Sequence, residues 1–281
     1  MPPINTLVAI TGATGGLGKA FAVECASRGW DLFLTDRFSE PLDVLAEGLR
    51  RSYGVRVITR PCDLTDPASR ATLIESIRAN GLRFRLLINV AGVDFEGLFY
   101  EQSIQHIRTI IRLNIEATLE MTHSLLAYRD PLHTFHIINV ASLAAFAPMP
   151  VKATYAASKR FLFDFSLALG EEVRDLGATV TVLCPAGMPT TRECIAGIQA
   201  QGWMGQVTTR NVGQVAYETI EASLRGRAVV IPGTPNRLLQ SLSALIPAPL
   251  AARLIGSRWK AAHLRRAENF PASPVGRVAR T

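Results

Sequence analysis

The residues Thr11-Gly12-Ala13-Thr14-Gly15-Gly16-Leu17-Gly18 follow the apolar run Leu7–Thr11 and open a helical pattern that continues to about Arg28. Glycines at this point allow a tight turn, and they let a diphosphate approach the backbone. The N–H groups and the positive dipole end of the following helix would face that anion. Because the loop lies between a first strand and a first helix, it favours nucleotide binding over an ordinary glycine-rich turn. The predicted contacts are Gly12, Thr14, Gly15, Gly16, Leu17 and Gly18.

Short apolar runs alternate with longer helical patterns through most of the chain. The predicted strands are Leu7–Thr11, Asp31–Thr35, Val55–Thr59, Leu86–Val90, Phe135–Val140, Ala178–Leu183 and Ala228–Ile231. The predicted helices are Gly16–Arg28, Leu42–Tyr53, Ser69–Asn80, His106–Tyr128, Thr154–Leu176 and Val212–Leu224. Buried strands separated by helices predict an α/β fold with a doubly wound, Rossmann-type parallel sheet. Ligands of such sheets bind outside the carboxyl ends of the strands, so functional residues are expected just after each strand.

Composition excludes several classes of protein. The chain has 281 residues, of which 48% are hydrophobic and 19% charged, so it is too apolar for a disordered protein. The four cysteines form no CxxC pair and the five histidines no HxH or HxxxH, so we expect no metal site and a reducing compartment. No apolar run reaches the ~20 residues of a membrane-spanning helix, and no basic region opens the chain. The expected location is therefore cytoplasmic.

Positive charge is concentrated in the C-terminal part of the chain. Residues 225–281 contain ten Lys and Arg against one acidic residue, Glu268, whereas residues 1–224 carry a net charge of −2. The basic balance therefore gives no support for nucleic-acid binding by the body of the protein. We predict a single domain over residues 1–233, an amphipathic helical extension over 234–267 and a disordered tail over 268–281. The extension suits either packing on the fold or peripheral contact with an anionic membrane, and we favour packing because the domain is otherwise complete.

A tyrosine and a lysine four residues apart suggest proton-transfer chemistry. Tyr155 and Lys159 lie within one helical pattern, so they share a face of the helix. A free tyrosine has a pKa of ~10, and a neighbouring cation lowers that pKa by favouring the phenolate. Tyr155 could then exchange a proton with an alcohol or carbonyl oxygen. Ser142, at the end of the predicted fifth strand, would hydrogen-bond the same oxygen.

Taken together, these motifs resemble the short-chain dehydrogenase/reductase family over roughly residues 5–235. The resemblance implies an NAD(P)-dependent oxidoreductase acting on a carbonyl or secondary alcohol, with Asn114, Ser142, Tyr155 and Lys159 as catalytic residues. It also implies that Lys159 binds the nicotinamide ribose, that Asn114 holds a water of a proton relay, and that the protein is a homodimer or homotetramer. Further cofactor contacts carried over from the family are Asp63, Leu64, Asn89, Ala91, Gly92, Tyr155, Pro185, Gly187, Thr190 and Thr191.

The choice of nicotinamide cofactor depends on the end of the second predicted strand. A carboxylate at Asp36 can accept both ribose hydroxyls and repels a 2′-phosphate, whereas Arg37 would attract that phosphate. The glycine loop has no Lys or Arg before Gly16, which removes a common second phosphate contact. We therefore predict NAD, with NADP as the alternative, and note that Arg37 could simply pair with a surface carboxylate.

The substrate side of the predicted site is largely apolar. Predicted substrate contacts are Ser142, Leu143, Met188 and Trp203, and residues 188–210 are expected to form a mobile lid. A hydrophobic ketone or secondary alcohol, such as a steroid or an acyl thioester, is the expected substrate. Ala186 stands where family members usually carry glycine, which leaves open whether Thr190 or Thr191 meets the nicotinamide. The alternatives are an NADPH-dependent carbonyl or 3-oxoacyl reductase, and a non-catalytic nucleotide-binding or peripheral membrane protein.

Overall fold

A seven-stranded parallel sheet organises the chain, in the computed structural model that describes residues 6–188, 209–243 and 246–269. The strand order is β3-β2-β1-β4-β5-β6-β7, so the connection from β3 to β4 crosses to the other side of β1. The strands are β1 (Leu7–Thr11), β2 (Asp31–Asp36), β3 (Val57–Pro61), β4 (Phe84–Asn89), β5 (Phe135–Val140), β6 (Ala178–Leu183) and β7 (Val229–Val230). The predicted doubly wound, Rossmann-type sheet is confirmed.

Helices cover both faces of this sheet. They are α1 (Gly16–Ser27), α2 (Ser39–Tyr53), α3 (Pro67–Ala79), α4 (Ile104–Ile110), α5 (Ala117–Ala127), α6 (Ala153–Glu172), α7 (Val212–Leu224), α8 (Thr234–Ser243) and α9 (Ala248–Asn269). On one face, Val8 and Ile10 of β1 join a buried cluster with residues of α1, α2 and α7. On the other face, Leu7 and Ala9 pack with residues of α3 and α5. Alternate residues of a buried strand thus serve two separate cores, which explains its unbroken apolar sequence.

Two predicted strands are displaced along the chain. The strand predicted at Val55–Thr59 begins at Val57, because Gly54 ends α2 in a left-handed conformation and the chain must first cross back to β2. The strand predicted at Leu86–Val90 begins at Phe84, which pairs with Leu7, and ends at Asn89. Val90 leaves the ladder because its N–H donates to the hydroxyl of Thr11 at 3.1 Å.

The long helix predicted over His106–Tyr128 contains an irregular turn. A π-helical segment, Ile111–Glu116, joins α4 to α5, and it contains the fully buried Asn114. A π turn inserts an extra residue into the helix and is often found at functional sites. The extra residue changes which side chains of the helix face inward. The side chain of Asn114 forms hydrogen bonds with the backbone of the loop after β4.

The C-terminal helix returns to the edge of the sheet where the strands end. Gly256 of α9 lies against Pro150, so close that a Cβ at Gly256 would be 2.9 Å from the Cγ of Pro150. Among the helices of the described chain, none combines the length and apolar character needed to cross a membrane. Residues 270–281, most of the predicted disordered tail, lie outside the described residues, and the proposed division into domain, extension and tail stays a prediction.

Candidate active site at the carboxyl ends of the strands

The glycine loop is shaped by close backbone contacts. Gly12 has a φ of +64°, and a Cβ there would lie 2.8 Å from the Cα of Ala91. At Gly18 a Cβ would lie 2.0 Å from the carbonyl oxygen of Gly12. No side chain caps the N-terminus of α1 at Gly15, so no capping group competes with an anion for the N–H groups of its first turn. This loop and helix end fit the diphosphate of a dinucleotide.

Asp36, the last residue of β2, is bound to the glycine loop. Its Oδ2 accepts hydrogen bonds from the backbone N–H of Thr14 at 2.8 Å and from the Thr14 hydroxyl at 2.7 Å. Its Oδ1 accepts from the N–H of Arg37 at 2.7 Å. These bonds hold the carboxylate in one position beside the loop, where the ribose of an adenosine would lie if the diphosphate occupied the end of α1.

Arg37 and Asp63 form an ion pair across the ends of β2 and β3. The Nε of Arg37 is 3.4 Å from Asp63 Oδ2, and 66% of the arginine side chain is exposed. Asp63 also accepts from the N–H of Thr65 at 3.0 Å and from its hydroxyl at 2.6 Å. The Thr65 hydroxyl is the main cause that lowers the pKa of Asp63, with a smaller contribution from Arg37. The carboxylate that pairs with Arg37 is therefore one of the predicted cofactor contacts.

A buried polar network links the strands beneath the loops. The amide of Asn89 donates to the hydroxyl of Thr122 at 3.0 Å and to Asn139 Oδ1 at 2.9 Å. Asn139 in turn donates to Ser166 at 2.9 Å. The side chain of Asn89 thus steadies β4 against β5 and α5. Thr11, which the sequence reasoning missed, accepts from Val90 and Ala91 N–H groups and joins the glycine loop to the loop after β4.

Asn114 holds the loop after β4 by hydrogen bonds at both ends of its amide. Its Oδ1 accepts from the N–H of Val93 at 2.8 Å, and its Nδ2 donates to the Val93 carbonyl at 3.1 Å and to Ser158 Oγ at 3.1 Å. A Cβ at Gly92 would lie 3.2 Å from both Asn114 Oδ1 and Lys159 Nζ. Three predicted residues, Gly92, Asn114 and Lys159, are therefore in direct proximity.

Lys159 is a buried cation next to the ring of Tyr155. Its residue is 4% exposed, and its Nζ donates to the Val140 carbonyl at 2.8 Å. The same nitrogen lies 5.7 Å from the centroid of the Tyr155 ring. Burial lowers the pKa of Lys159 to about 8, against the opposing effect of Asp94. The predicted shared face of Tyr155 and Lys159 is present on α6.

Ser142 and Cys184 lie where β5 and β6 end. The hydroxyl of Ser142 accepts from the N–H of Ala144 at 3.1 Å, and an accepting hydroxyl keeps its own proton for a second partner. Burial raises the pKa of the Cys184 thiol to about 12, so this thiol stays protonated within a buried apolar cluster. The N–H of Leu143 donates to the Pro185 carbonyl at 2.9 Å and joins these two loops.

Several predicted residues fall at or beyond the limit of the described chain. Met188 packs against the core cluster on the α1 side, and Gly187 is exposed. Thr190, Thr191 and Trp203 lie outside the described residues, as does most of the predicted lid. Within residues 6–188, 209–243 and 246–269 no group of His, Cys, Asp and Glu could hold a metal ion.

Comparison with known sequences places this site in a family. Residues 6–194 match the sequence model of the short chain dehydrogenase family. The chain belongs to that family. The family segment contains the glycine loop, Asn114, Ser142, Tyr155 and Lys159, and it ends within the undescribed segment that follows Met188.

The first curated relatives are named either as 3-oxoacyl-CoA reductases or as hydroxysteroid dehydrogenases. The chain is 33% identical over 173 residues to a very-long-chain 3-oxoacyl-CoA reductase of Laccaria bicolor, which covers 61% of this chain and 51% of that protein. It is 32% identical over 185 residues to 17-beta-hydroxysteroid dehydrogenase type 3 of Mus musculus, covering 64% and 59%. The chain thus spans a little over half the length of the curated relatives it matches.

Solved structures of family members superpose over most of the chain. A short-chain dehydrogenase from Sphingobium yanoikuyae in complex with NADPH is 28% identical, with a TM-score of 0.72 and coverage of 98% of both chains. A bulky-bulky ketone specific alcohol dehydrogenase from Comamonas testosteroni is 26% identical, with a TM-score of 0.70 and coverage of 89% of this chain and 98% of that chain.

The buried ammonium of Lys159 leads to a prediction about stability. With a folded pKa of about 8 against an ordinary 10.5, the unfolded chain binds more protons than the folded one between these pH values. The stability of the ligand-free wild type should therefore rise relative to a Lys159→Met variant as pH rises through this range. At pH 7 the variant should be the more stable by on the order of 1–3 kcal/mol, in urea unfolding.

The control for this measurement is Lys19→Met, which removes an exposed ammonium from α1. Its stability difference from the wild type should not change between pH 7 and the alkaline range. A Lys159→Met variant that is less stable than the wild type at every pH would contradict the buried-charge account.

Proposed function

We propose that this protein transfers hydride between a nicotinamide dinucleotide and a carbonyl or secondary alcohol substrate. The observation that carries the proposal is the buried Lys159 beside the ring of Tyr155, at the same edge of the sheet as a glycine loop that fits a diphosphate. Both the family membership and the names of the curated relatives support it. The dinucleotide would supply or accept the hydride at its nicotinamide ring.

The chain's own residues would manage the proton. In reduction the Tyr155 hydroxyl donates its proton to the substrate oxygen, and in oxidation the phenolate removes one from the alcohol. Lys159 favours the phenolate by its charge, and the hydroxyl of Ser142 stabilises negative charge on the substrate oxygen. Asn114 fixes the loop at Val93 and, as in the family, would hold a water of the relay from Lys159.

The prediction for this chemistry is a selective loss in Tyr155→Phe. Removing the hydroxyl should lower turnover of hydrophobic ketones roughly 10²- to 10⁴-fold, because the proton donor is lost. Binding of NADH or NADPH, measured by fluorescence titration, should be retained. Tyr217→Phe, an exposed tyrosine on α7, is the matched control and should keep wild-type turnover. Equal, measurable turnover by Tyr155→Phe would contradict the role of Tyr155 as proton donor, and no turnover by either protein would favour the non-catalytic nucleotide-binding alternative.

For the cofactor, NAD is the preferred proposal and NADP the alternative. In support of NAD, Asp36 is held beside the glycine loop by Thr14, where its charge would repel a 2′-phosphate. Arg37 would attract that phosphate, but its charge is already shared with Asp63 and it lies over the Phe38 ring at 5.4 Å. In support of NADP, the Sphingobium yanoikuyae relative is described in complex with NADPH.

Substitutions at these two positions should move cofactor preference in opposite directions. Asp36→Ser should tighten NADPH binding and weaken NADH binding, each by about tenfold, because one carboxylate contact is exchanged. Arg37→Ala should weaken NADPH binding and leave NADH binding nearly unchanged. Fluorescence titration with each cofactor measures both effects, with Arg78→Ala on α3 as a control remote from the site. Tighter binding of NADPH than NADH by the wild type would overturn the NAD proposal.

The proposed substrate is hydrophobic. A groove lies next to the Ser142 loop, between α6 and residues of the C-terminal extension. Its lining combines the apolar residues Phe146, Pro148, Phe163, Ile246, Ala248 and Ala251 with the polar residues Arg160 and Gln240. The names of the relatives, a 3-oxoacyl-CoA reductase, a hydroxysteroid dehydrogenase and a bulky ketone dehydrogenase, favour lipid-like ketones as the first substrates to test. An NADPH-dependent 3-oxoacyl reductase is the second candidate function on the same ground.

The extension formed by α8 and α9 is proposed to contact an anionic membrane surface. Five leucines are exposed on it; Leu239 (38%) is the least exposed, and the other four are Leu238 (60%), Leu242 (51%), Leu250 (48%) and Leu254 (53%). These four recur at four-residue spacing within each helix, so they form an apolar face. The net charge of +9 over residues 225–281 complements anionic headgroups. An apolar face with this charge suits insertion at a membrane interface.

Replacing the four leucines by serine should lower binding to vesicles containing anionic phospholipid by roughly tenfold or more, because the apolar area available for insertion is removed. Co-sedimentation at low salt measures the effect. The control variant, Val44→Ser with Leu132→Ser, removes apolar side chains exposed elsewhere. Unchanged sedimentation of the four-serine variant would overturn the membrane proposal. Loss of a dimer in light scattering would instead assign this face to a second copy. The cytoplasmic location and the homodimer or homotetramer stay predictions.

A further inference from the structure

The loop before α6 carries a half-buried lysine that the proposed chemistry does not use. Lys152 forms ion pairs with two carboxylates of the loop after β4: one with Asp94, and one with Glu96 at 3.5 Å. Its side chain is 17% exposed. A lysine so enclosed loses much of its hydration, so its charge acts strongly on whatever lies beside it.

Two aromatic rings flank the same ammonium. Lys152 Nζ lies 5.8 Å from the centroid of Tyr155 and 5.3 Å from the centroid of Trp259 on α9. The distance to Tyr155 is nearly that of Lys159, 5.7 Å. The proposed proton donor therefore has two lysine ammonium groups at equal range, of which only one is part of the recognised motif.

The backbone before α6 is held in a strained conformation. Val151 has a φ of +73°, which is unfavourable for a β-branched residue, and its carbonyl accepts from the N–H of Gly97 at 2.9 Å. Strain of this kind persists only where surrounding contacts impose it. The bond to Gly97 joins the two loops on either side of Lys152 and fixes the position of its side chain.

We propose that Lys152 is a positioning residue which, with Lys159, favours the phenolate form of Tyr155, and that Asp94 and Glu96 oppose it. The proposal rests on the proposed function only for its catalytic consequence. Asp94 acts on both lysines, because it pairs with Lys152 and also affects the titration of Lys159.

Other charged or titratable groups in the described chain lie farther along the same elements. His106 of α4 stacks on the ring of Phe95, with 4.1 Å between the ring centroids. Phe95 lies between Asp94 and Glu96 in the sequence. Cys184 at the end of β6 interacts with Lys159. Arg160 of α6 pairs with Asp164 at 2.8 Å. None of these side chains has a described contact with Lys152, so Lys152, Asp94 and Glu96 form one electrostatic unit.

The charge balance of this unit gives the expected sign of each substitution. Replacing Lys152 by methionine removes a positive charge and leaves two carboxylates facing the site, so ionisation of Tyr155 should require a higher pH. Replacing Asp94 by asparagine removes a negative charge, so ionisation should occur at a lower pH. Lys152→Arg keeps the charge and should behave as the wild type. A role in folding alone would not produce shifts of opposite sign.

The experiment is an ultraviolet difference titration of tyrosinate in the ligand-free protein. Subtracting the titration of Tyr155→Phe from that of each protein isolates Tyr155 from the other four tyrosines. With each variant measured against its own Tyr155→Phe double variant, Lys152→Met should raise the midpoint for Tyr155 by about one pH unit, and Asp94→Asn should lower it by a similar amount. Arg78→Met, which removes an exposed cation from α3, should leave it unchanged.

A kinetic readout then relates the shift to turnover. With Lys152→Met, alcohol oxidation below the midpoint should fall about tenfold, whereas ketone reduction at high pH should be retained or increased. Equal midpoints for Lys152→Met, Asp94→Asn and wild type would overturn the proposal. If Lys152→Met fails to fold, Asp94→Asn and Lys152→Arg still decide it. Wild-type protein without turnover but with the predicted titration shifts would contradict the proposed function and leave this inference standing.

Discussion

The ammonium of Lys159 is the buried charge on which the arrangement of the carboxyl edge depends. A cation 4% exposed loses most of its hydration, and the hydrogen bond to the Val140 carbonyl replaces only part of it. The space around this ammonium depends on Gly92, because a Cβ at that position would lie 3.2 Å from Lys159 Nζ. The end of β5, the loop after β4 and α6 must therefore keep their relative positions for this charge to be tolerated. This buried charge lowers the stability of the fold, and it lies where a cation would act on Tyr155.

Hydrogen bonds between loops maintain those positions. Asn114 binds both backbone groups of Val93, and Thr11 receives the N–H groups that follow β4. Asp36 holds the glycine loop in place by accepting a hydrogen bond from the N–H of Thr14. Each bond joins segments that are distant in sequence, and each uses a side chain at or just beyond the end of a strand or within an irregular helical turn. Such contacts hold the loops of a binding site in place before any ligand arrives.

Sequence patterns predicted those strands and helices whose ends are set by residues close to them in the chain. The bounds of β5, β6 and α7 match the prediction, and at α7 the side chain of Asn211 marks the start of the helix by accepting the N–H groups of Gly213 and Gln214. The π turn at Asn114 was not predicted, because its apolar spacing differs little from that of a continuous helix. The role of Lys152 was also missed. Its partners Asp94 and Glu96 lie almost sixty residues earlier in the chain, and no local pattern joins them.

The two lysines beside Tyr155 differ in what surrounds them, and this difference suggests how the site divides its tasks. Lys159 is held by a backbone carbonyl and is nearly removed from solvent, so its position is fixed by the fold itself. Lys152 is held by two carboxylates and by Trp259 of the C-terminal extension, so its effect depends on loops and on a helix outside the sheet. Through Trp259 the C-terminal extension therefore lies next to one of the two lysines beside Tyr155, whereas the other lysine is bound to the end of β5.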